Sequence, residues 1–325
     1  MTGSVIGLMA VLCGQTATSQ PVWLNAYEVK VRAAGQKEFA GAGRIGVEFF
    51  RDPLAGAVLA VSDKGQLAVV PAGPAADAGA EKSVGWLFAH DLKARTPDEE
   101  QFSPKTKAFG VEAFKDQLTG KLLFLSQTGG LALADYPAAV VTNQDAKYHH
   151  ALTLPVRTAA EDQFTDKTKR VGVEVYLDGN SGRLVYVTDA GFLATAPAPT
   201  DLKAGDAGRK PVSLYGRAMR VRKAAEANYS DATAKLGVEV YKDVATGHLL
   251  YVTEAGGIAV APAPADLKKG LGFREERGLL LSARPAGETK YDKATRVGVE
   301  VVTDNNSGHT VYLADTGAVA VLAKK

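Results

Sequence analysis

A Gly-Val-Glu triplet recurs five times along the chain and limits its fold more than any other feature. Its glycines are Gly46, Gly110, Gly172, Gly237 and Gly298, at spacings of 64, 62, 65 and 61 residues. Self-similarity at a nearly fixed period marks a repeat architecture, in which each repeat is one supersecondary unit. The sequence therefore predicts five equivalent units.

Each repeat also carries turn residues at fixed offsets from the triplet. In the third repeat, Asp178 follows Glu174 by four residues, Gly182 follows four later, and Gly191 follows nine after that. Asp can cap backbone N–H groups in a hairpin loop, and Gly supplies a positive φ. The intervening runs, 173–177 and 184–188, are β-branched and aromatic, which is typical of strands. We therefore expect a hairpin after the triplet and a second tight turn before a further strand.

With one more strand upstream of the triplet, each unit reads as a four-stranded antiparallel meander. Pro155 falls in this first strand, and proline cannot donate to a ladder, so the strand should lie at a sheet edge. Five such meanders without helical periodicity predict an all-β fold, a five-bladed β-propeller of four-stranded blades. The alternative is five small tandem β-domains, although a lone sheet of this size buries only one face.

The domain prediction is a single propeller over residues 22–325 preceded by a signal peptide at 1–19. The first 19 residues contain no charge and include a short apolar run that is too short to span a bilayer. This predicts export to the periplasm or secretion, with possible attachment to the cell envelope. The lone Cys13 lies in that segment, where a lipid anchor is a minority alternative to removal. The repeats are placed at 22–84, 85–146, 147–210, 211–276 and 277–325.

The glutamate of each triplet lies in the middle of a strand that should be buried, so it needs a partner. An arginine recurs on the upstream strand and is the obvious candidate. We expect a structural ion pair within each repeat. The expected pairs are Arg32 with Glu48, Arg95 with Glu112, Arg157 with Glu174, Arg222 with Glu239, and Arg284 with Glu300.

Three aromatic residues occupy one repeat position, nine residues before the arginine. They are Trp23, Trp86 and Tyr148, and they are possible ligand contacts, for instance by stacking on sugars, although packing between blades is the commoner role. A stronger test of function lies in residues that break the repeat, since a catalytic set is normally assembled once.

The sequence gives no catalytic, cofactor-binding or metal-binding residues. Within one strand the repeated Glu and Asp would lie about 13 Å apart, too far for a glycosidase pair. The Asp-Gly-Asn-Ser-Gly182 loop lacks the acidic positions of an EF-hand. His149 and His150 are adjacent, so on a regular strand they point to opposite faces, and we expect surface or strand-edge roles for the histidines.

The repeat resembles the general pattern of bacterial β-propellers, and its five-fold count resembles the five-bladed lectin type. This architectural resemblance covers residues 22–325, but no sugar-binding motif matches residue by residue. It implies a propeller fold and no particular activity, because propellers host many functions.

The leading functional hypothesis is a non-enzymatic, exported interaction or scaffold module for a protein partner or an envelope complex. Lys and Arg total 38 against 36 Asp and Glu, so nothing suggests nucleic acid, and no transmembrane segment is expected in the mature chain. A multivalent carbohydrate-binding propeller is the second hypothesis, and a glycoside hydrolase-like enzyme around the central axis is the third. No cofactor is expected.

Overall fold

The strand pattern expected from the repeat is present in the computed structural model, which describes residues 20–73, 82–202, 210–268 and 270–324. Within these ranges the chain forms twenty strands and a single 3-10 turn at Tyr291–Lys293. None of the described helical structure is long and apolar enough to cross a membrane. The segment 1–19, with the expected signal peptide and Cys13, lies outside the described residues.

Each repeat contributes one sheet of four consecutive strands. Blade 1 contains β1 (Val22–Val31), β2 (Gly43–Asp52), β3 (Ala57–Ser62) and β4 (Leu67–Pro71). Blade 2 contains β5 (Val84–Ala94), β6 (Lys107–Asp116), β7 (Lys121–Ser126) and β8 (Leu131–Asp135). Blade 3 contains β9 (Ala146–Pro155), β10 (Arg170–Asp178), β11 (Arg183–Thr188) and β12 (Leu193–Pro197). Blade 4 contains β13 (Val212–Arg220), β14 (Lys235–Lys242), β15 (His248–Thr253) and β16 (Ile258–Pro262). Blade 5 contains β17 (Phe273–Ala283), β18 (Thr295–Asp304), β19 (Thr310–Ala314) and β20 (Val319–Leu322).

The five sheets form a five-bladed β-propeller. Every sheet is an antiparallel meander in sequence order, so the first strand is an edge strand, as Pro155 suggested. The fourth strands β4, β8, β12, β16 and β20 pack against one another in ring order, with β20 against β4. The fourth strand is therefore innermost and the first strand forms the outer rim. This closed ring excludes five separate tandem domains.

The hydrophobic core lies between blades. Each of the five core clusters combines residues of two neighbouring blades, including one that joins blades 5 and 1. Phe49 of blade 1, for example, shares a cluster with Leu123 of blade 2. Each blade thus buries both faces, which explains why the second and third strands carry apolar residues on both of their faces.

The ring closes without exchanging a strand. Blade 1 uses only β1–β4 and blade 5 only β17–β20, so each blade is one continuous stretch of chain. The fifth blade begins at Phe273, a few residues before the expected repeat boundary at 276/277. All five outer strands carry a β-bulge at one position. The bulged residues are Leu24, Leu87, His149, Leu214 and Glu276.

Candidate functional site

The repeated arginines and glutamates pair between blades, so the expected pairing within each repeat is wrong. Every arginine binds the glutamate of the following blade through Nε, at 2.6–2.7 Å. The last arginine closes the ring onto the first blade. The pairs are Arg32–Glu112, Arg95–Glu174, Arg157–Glu239, Arg222–Glu300 and Arg284–Glu48.

Strand register explains why a pair within one blade does not form. Glu48 lies opposite Ala26 in the β1–β2 ladder, six residues before Arg32, which corresponds to about 20 Å along the strand. The triplet glycine instead brings the next blade close. A Cβ at Gly110 would overlap the carbonyl oxygen of Arg32, and the same overlap recurs at the other four junctions. The glycine therefore permits the backbone approach that sets the pair.

Each guanidinium is held by several contacts. Besides Glu112, Arg32 donates from Nη1 to the carbonyl oxygen of Lys37 in its own loop and lies 4.5 Å from the ring centre of Phe39. The hydrogen bond to Glu112 raises the pKa of Arg32, against the effect of burial. Equivalent aromatic rings stack on the other four arginines, which gives the upstream aromatic of each repeat a structural role.

The three aromatic candidates, Trp23, Trp86 and Tyr148, form hydrogen bonds with residues of these ion pairs. Trp23 donates its indole N–H to Glu48 at 2.6 Å, and Trp86 donates to Glu112 at 2.7 Å. The hydroxyl of Tyr148 accepts from Arg95 at 3.1 Å. All three rings remain 44–50% exposed. These side chains are therefore not buried between blades. Each is held by a hydrogen bond at one edge and is partly exposed to solvent.

A second series of contacts between blades ends on the repeated aspartates. Asp178 is fully buried, caps its own hairpin through the N–H of Asn180, and receives the imidazole of His90 at 2.8 Å. Burial tends to raise the pKa of Asp178, but the bonds from His90 and Ser181 outweigh it and the pKa is lowered. The outer strand of the preceding blade supplies one side chain to each aspartate, and these are Tyr27, His90, His150, Tyr215 and Arg277. On the third strand of the preceding blade, Tyr186, Tyr251 and Tyr312 also donate to the aspartates of blades 4, 5 and 1.

The histidines are more buried than expected. His90, His150, His248 and His309 are each less than 10% exposed. His149 is the bulged residue of β9, and the bulge brings its Nδ1 within 2.6 Å of Nδ1 of His150, whereas regular alternation separates them. The expectation of opposite faces is therefore wrong. Within the described ranges no three His, Cys, Asp or Glu residues form a group suited to a metal.

The side chains that line the central axis are mostly aliphatic. A narrow channel there is lined by the innermost strands, for example by Leu131, Leu193 and Ile258. The repeated glutamates lie elsewhere, each bound to an arginine, and none of them is free to act as a general acid or base. The geometry thus lends no support to the hypothesis of a hydrolase built from these glutamates.

A groove of about 950 Å³ lies beside the outer strand of blade 2. Residues 86–91 of β5 form its floor, the loop around Gln36 and Lys37 of blade 1 forms one wall, and residues 142–146 form the other. Trp86 faces this groove. Asn143 in the second wall has φ of 74°, in the left-handed region that Asn adopts more readily than most residues. The groove is therefore built from both repeated and unrepeated parts of the chain.

Asn180 holds the second wall in place. Its side chain accepts from the N–H of Gln144 and donates to the carbonyl oxygen of Gln144, both at 2.8 Å. Its own carbonyl oxygen accepts from the N–H of Val141 at 3.0 Å. Sequence reasoning treated Asn180 only as a turn residue. One sequence feature could have indicated this role, because only the third and fifth repeats have Asn at this hairpin position. In the fifth repeat, Asn306 likewise accepts a hydrogen bond from the N–H of Leu271.

These features define the protein as a five-bladed propeller in which the repeated polar residues join neighbouring blades. No protein-family model and no curated protein matches the chain. Among solved structures, selenomethionine-substituted virginiamycin B lyase from Staphylococcus aureus is 10% identical over 93% of this chain and 89% of that chain, with a TM-score of 0.14. Likeness at that level says nothing about the activity of this chain.

Proposed function

We propose that the protein is a non-enzymatic interaction module that docks a protein partner on its outer rim. One observation carries the proposal: all five outer strands expose large apolar side chains to solvent, each at least 44% exposed. These residues are Val22 and Trp23 on β1, Trp86 on β5, Tyr148 on β9, Val212 on β13 and Leu280 on β17.

Exposed apolar and aromatic residues on an otherwise polar surface are characteristic of protein interfaces. Leu280 and Val212 are the most informative, because their side chains make no polar contact that would explain their position. The partner should present an apolar surface with few charges, since burying unpaired charge against such residues is unfavourable. The bulges in the outer strands favour contact through these side chains over addition of a strand to the edge.

We further propose that the protein acts outside the cytoplasm, at the cell envelope. The support is the uncharged, apolar segment 1–19 with its small residues at 17–19. Mass spectrometry of the mature N-terminus tests this point: a start near Gln20 or a lipid on Cys13 is expected, and an intact N-terminus on a cytosolic protein would exclude export.

The docking proposal is tested by native purification of a tagged protein after cross-linking, with Val212→Asp and Leu280→Asp as rim variants. Leu54→Asp is the matched control, because Leu54 is 61% exposed but lies in the hairpin between β2 and β3. We expect one stoichiometric partner with wild type and the control, and its loss with the rim variants. A protein that purifies alone, or equal recovery by all variants, would refute the proposal.

A further inference from the structure

One wall of the groove beside blade 2 is a connection whose sequence departs from the connections after the innermost strands of blades 3 and 4. The connections after β12 and β16 both begin Ala-Pro-Ala-Pro-x-Asp-Leu-Lys, from Ala196 and Ala261. The connection from β8 to β9 lacks this sequence and ends in Thr142-Asn143-Gln144-Asp145. Function is best sought in such a departure from the repeat.

These four residues turn polar side chains toward the groove without using them elsewhere. All four are exposed and line the groove. Their side-chain oxygen and nitrogen atoms make no hydrogen bond to another described residue, while the backbone of Gln144 is held by Asn180. One hydroxyl, two amides and one carboxylate are therefore presented from a fixed segment. Such a set contains both donors and acceptors.

On the floor of the groove, the indole ring of Trp86 supplies a rigid apolar surface. Its N–H bond to Glu112 sets the ring orientation, and Phe39 contacts the ring edge-to-face at a centroid distance of 6.0 Å. Half of the residue stays exposed. Arg32 lies over the ring, with Cζ 5.6 Å from its centre. This contact and the part-buried hydrogen bond keep the indole in one orientation before any ligand arrives, which reduces the entropic cost of binding.

The charges around the groove nearly cancel and most are already used. Arg32 and Glu112 bind each other, and Asp91 accepts the N–H of Gly35 at 2.8 Å. Lys37 remains as one cation, and Asp91 and Asp145 remain as two anions. The groove lacks the large net charge that would favour a strongly charged ligand. Its side chains can, however, donate hydrogen bonds to a neutral polyol and accept hydrogen bonds from it.

We propose that this groove binds a neutral oligosaccharide of a few pyranose units. The apolar C–H face of one pyranose ring packs on the indole of Trp86, and ring hydroxyls bind Asn143, Gln144 and Asp145. A volume of about 950 Å³ is at the upper end of the usual range for small-molecule sites, which favours an oligosaccharide over a monosaccharide. The site is single and asymmetric. It shares Trp86 with the exposed residues of the outer rim, but it does not involve Val212 or Leu280, on which the docking proposal is tested.

The experiment uses the Trp23→Phe protein, in which Trp86 is the one remaining tryptophan, so its fluorescence reports on the groove. Maltotetraose, cellotetraose and chitotetraose are titrated up to about 10 mM, after a glycan array of neutral and acidic glycans has been screened. We expect saturable quenching by a neutral glycan. Asn143→Gly preserves the positive φ but removes the amide, and it should weaken binding by about tenfold.

A matched pair of variants separates binding from stability. Asn180→Ala releases the wall containing Gln144 and should weaken saccharide binding, whereas Asn306→Ala releases the equivalent contact to Leu271 in blade 5 and should not. Thermal unfolding verifies that both variants fold. Absence of saturation with every neutral glycan overturns the inference. So does binding that Asn143→Gly leaves unchanged, or quenching produced only by an extended peptide.

Discussion

Arg284 in the last blade binds Glu48 in the first, with Nε 2.6 Å from Oε1, and this contact joins the two ends of the ring. Glu48 is 1% exposed and also accepts from Trp23 and Tyr291. Because no strand is shared between blades 1 and 5, the closure depends on hydrogen bonds and ion pairs that each involve a side chain, together with the apolar cluster between the two blades. The same geometry at four other junctions makes this a repeated joint.

Arg284→Met should destabilise the protein by about 3–5 kcal/mol, because it leaves the Glu48 carboxylate buried without its cation. The double variant Arg284→Met/Glu48→Leu should lose less than Arg284→Met alone, since no uncompensated charge remains. Equilibrium unfolding in urea measures both. The surface pair Arg44–Glu28 is the control, and Arg44→Ala should cost less than about 1 kcal/mol. Additive losses in the double variant would contradict the interpretation.

Gly110→Ala should be more damaging than any substitution of an exposed glycine on the same sheet. Its Cβ would overlap the carbonyl oxygen of Arg32, so blades 1 and 2 must separate, at a cost of about 2–3 kcal/mol or more. Gly85→Ala is the control, because no atom lies within 4 Å of the added Cβ, and it should change stability by less than about 1 kcal/mol. Thermal unfolding of the two variants compares them. Equal unfolding temperatures would show that the glycine is not a spacer.

The repeated glycines and glutamates show how far the sequence predicts the structure. The spacing of Gly110 and Glu112 from their turn residues predicts the strands and the five blades correctly. It does not identify the partner of Arg32, because a strictly periodic sequence offers an identical glutamate in every repeat. The ladder register separates the choices, since it places Glu48 beside Ala26 and away from Arg32. That register depends on hairpin geometry, which the repeat length alone does not contain.

The candidate site was less accessible to prediction. Trp86 was identified from its repeat position, but its environment depends on Asn143 and Gln144, which enter the groove from a connection with no periodic signal. The arrangement of His149 and His150 was missed for a related reason. A bulge breaks the alternation on which the prediction relied, and bulges depend on packing that a single sequence does not reveal.

Stability should fall as the pH drops below neutrality, in part through His309. Burial lowers the pKa of His309, against an opposing hydrogen bond to the carbonyl oxygen of Pro262. Its Nδ1 accepts the N–H of Lys324 at 3.1 Å, so the neutral imidazole is the form that fits. A lowered pKa in the folded state means that the stabilisation is complete above the unfolded value of 6.5 and is lost as the pH falls below it.

The measurement is the unfolding temperature between about pH 8 and pH 5 for wild type and His309→Gln. Glutamine stays neutral over this range, so the variant should show a shallower decline than wild type. Burial likewise lowers the pKa of His248, and His248→Gln should reduce the remaining slope. Parallel curves for wild type and both variants would assign the acid sensitivity to other groups.

The closure without strand exchange has a consequence for how such a molecule can arise and be rearranged. Every blade is one uninterrupted stretch of chain, and the ion pairs, hydrogen bonds and apolar clusters between neighbouring blades are noncovalent. We expect such a ring to tolerate circular permutation, because a chain that begins at any other blade boundary still contains every contact between blades. We also expect a two-blade and a three-blade polypeptide to assemble into the same ring. Amplification of a one-blade gene could therefore have passed through self-associating short chains before fusion made them a single molecule.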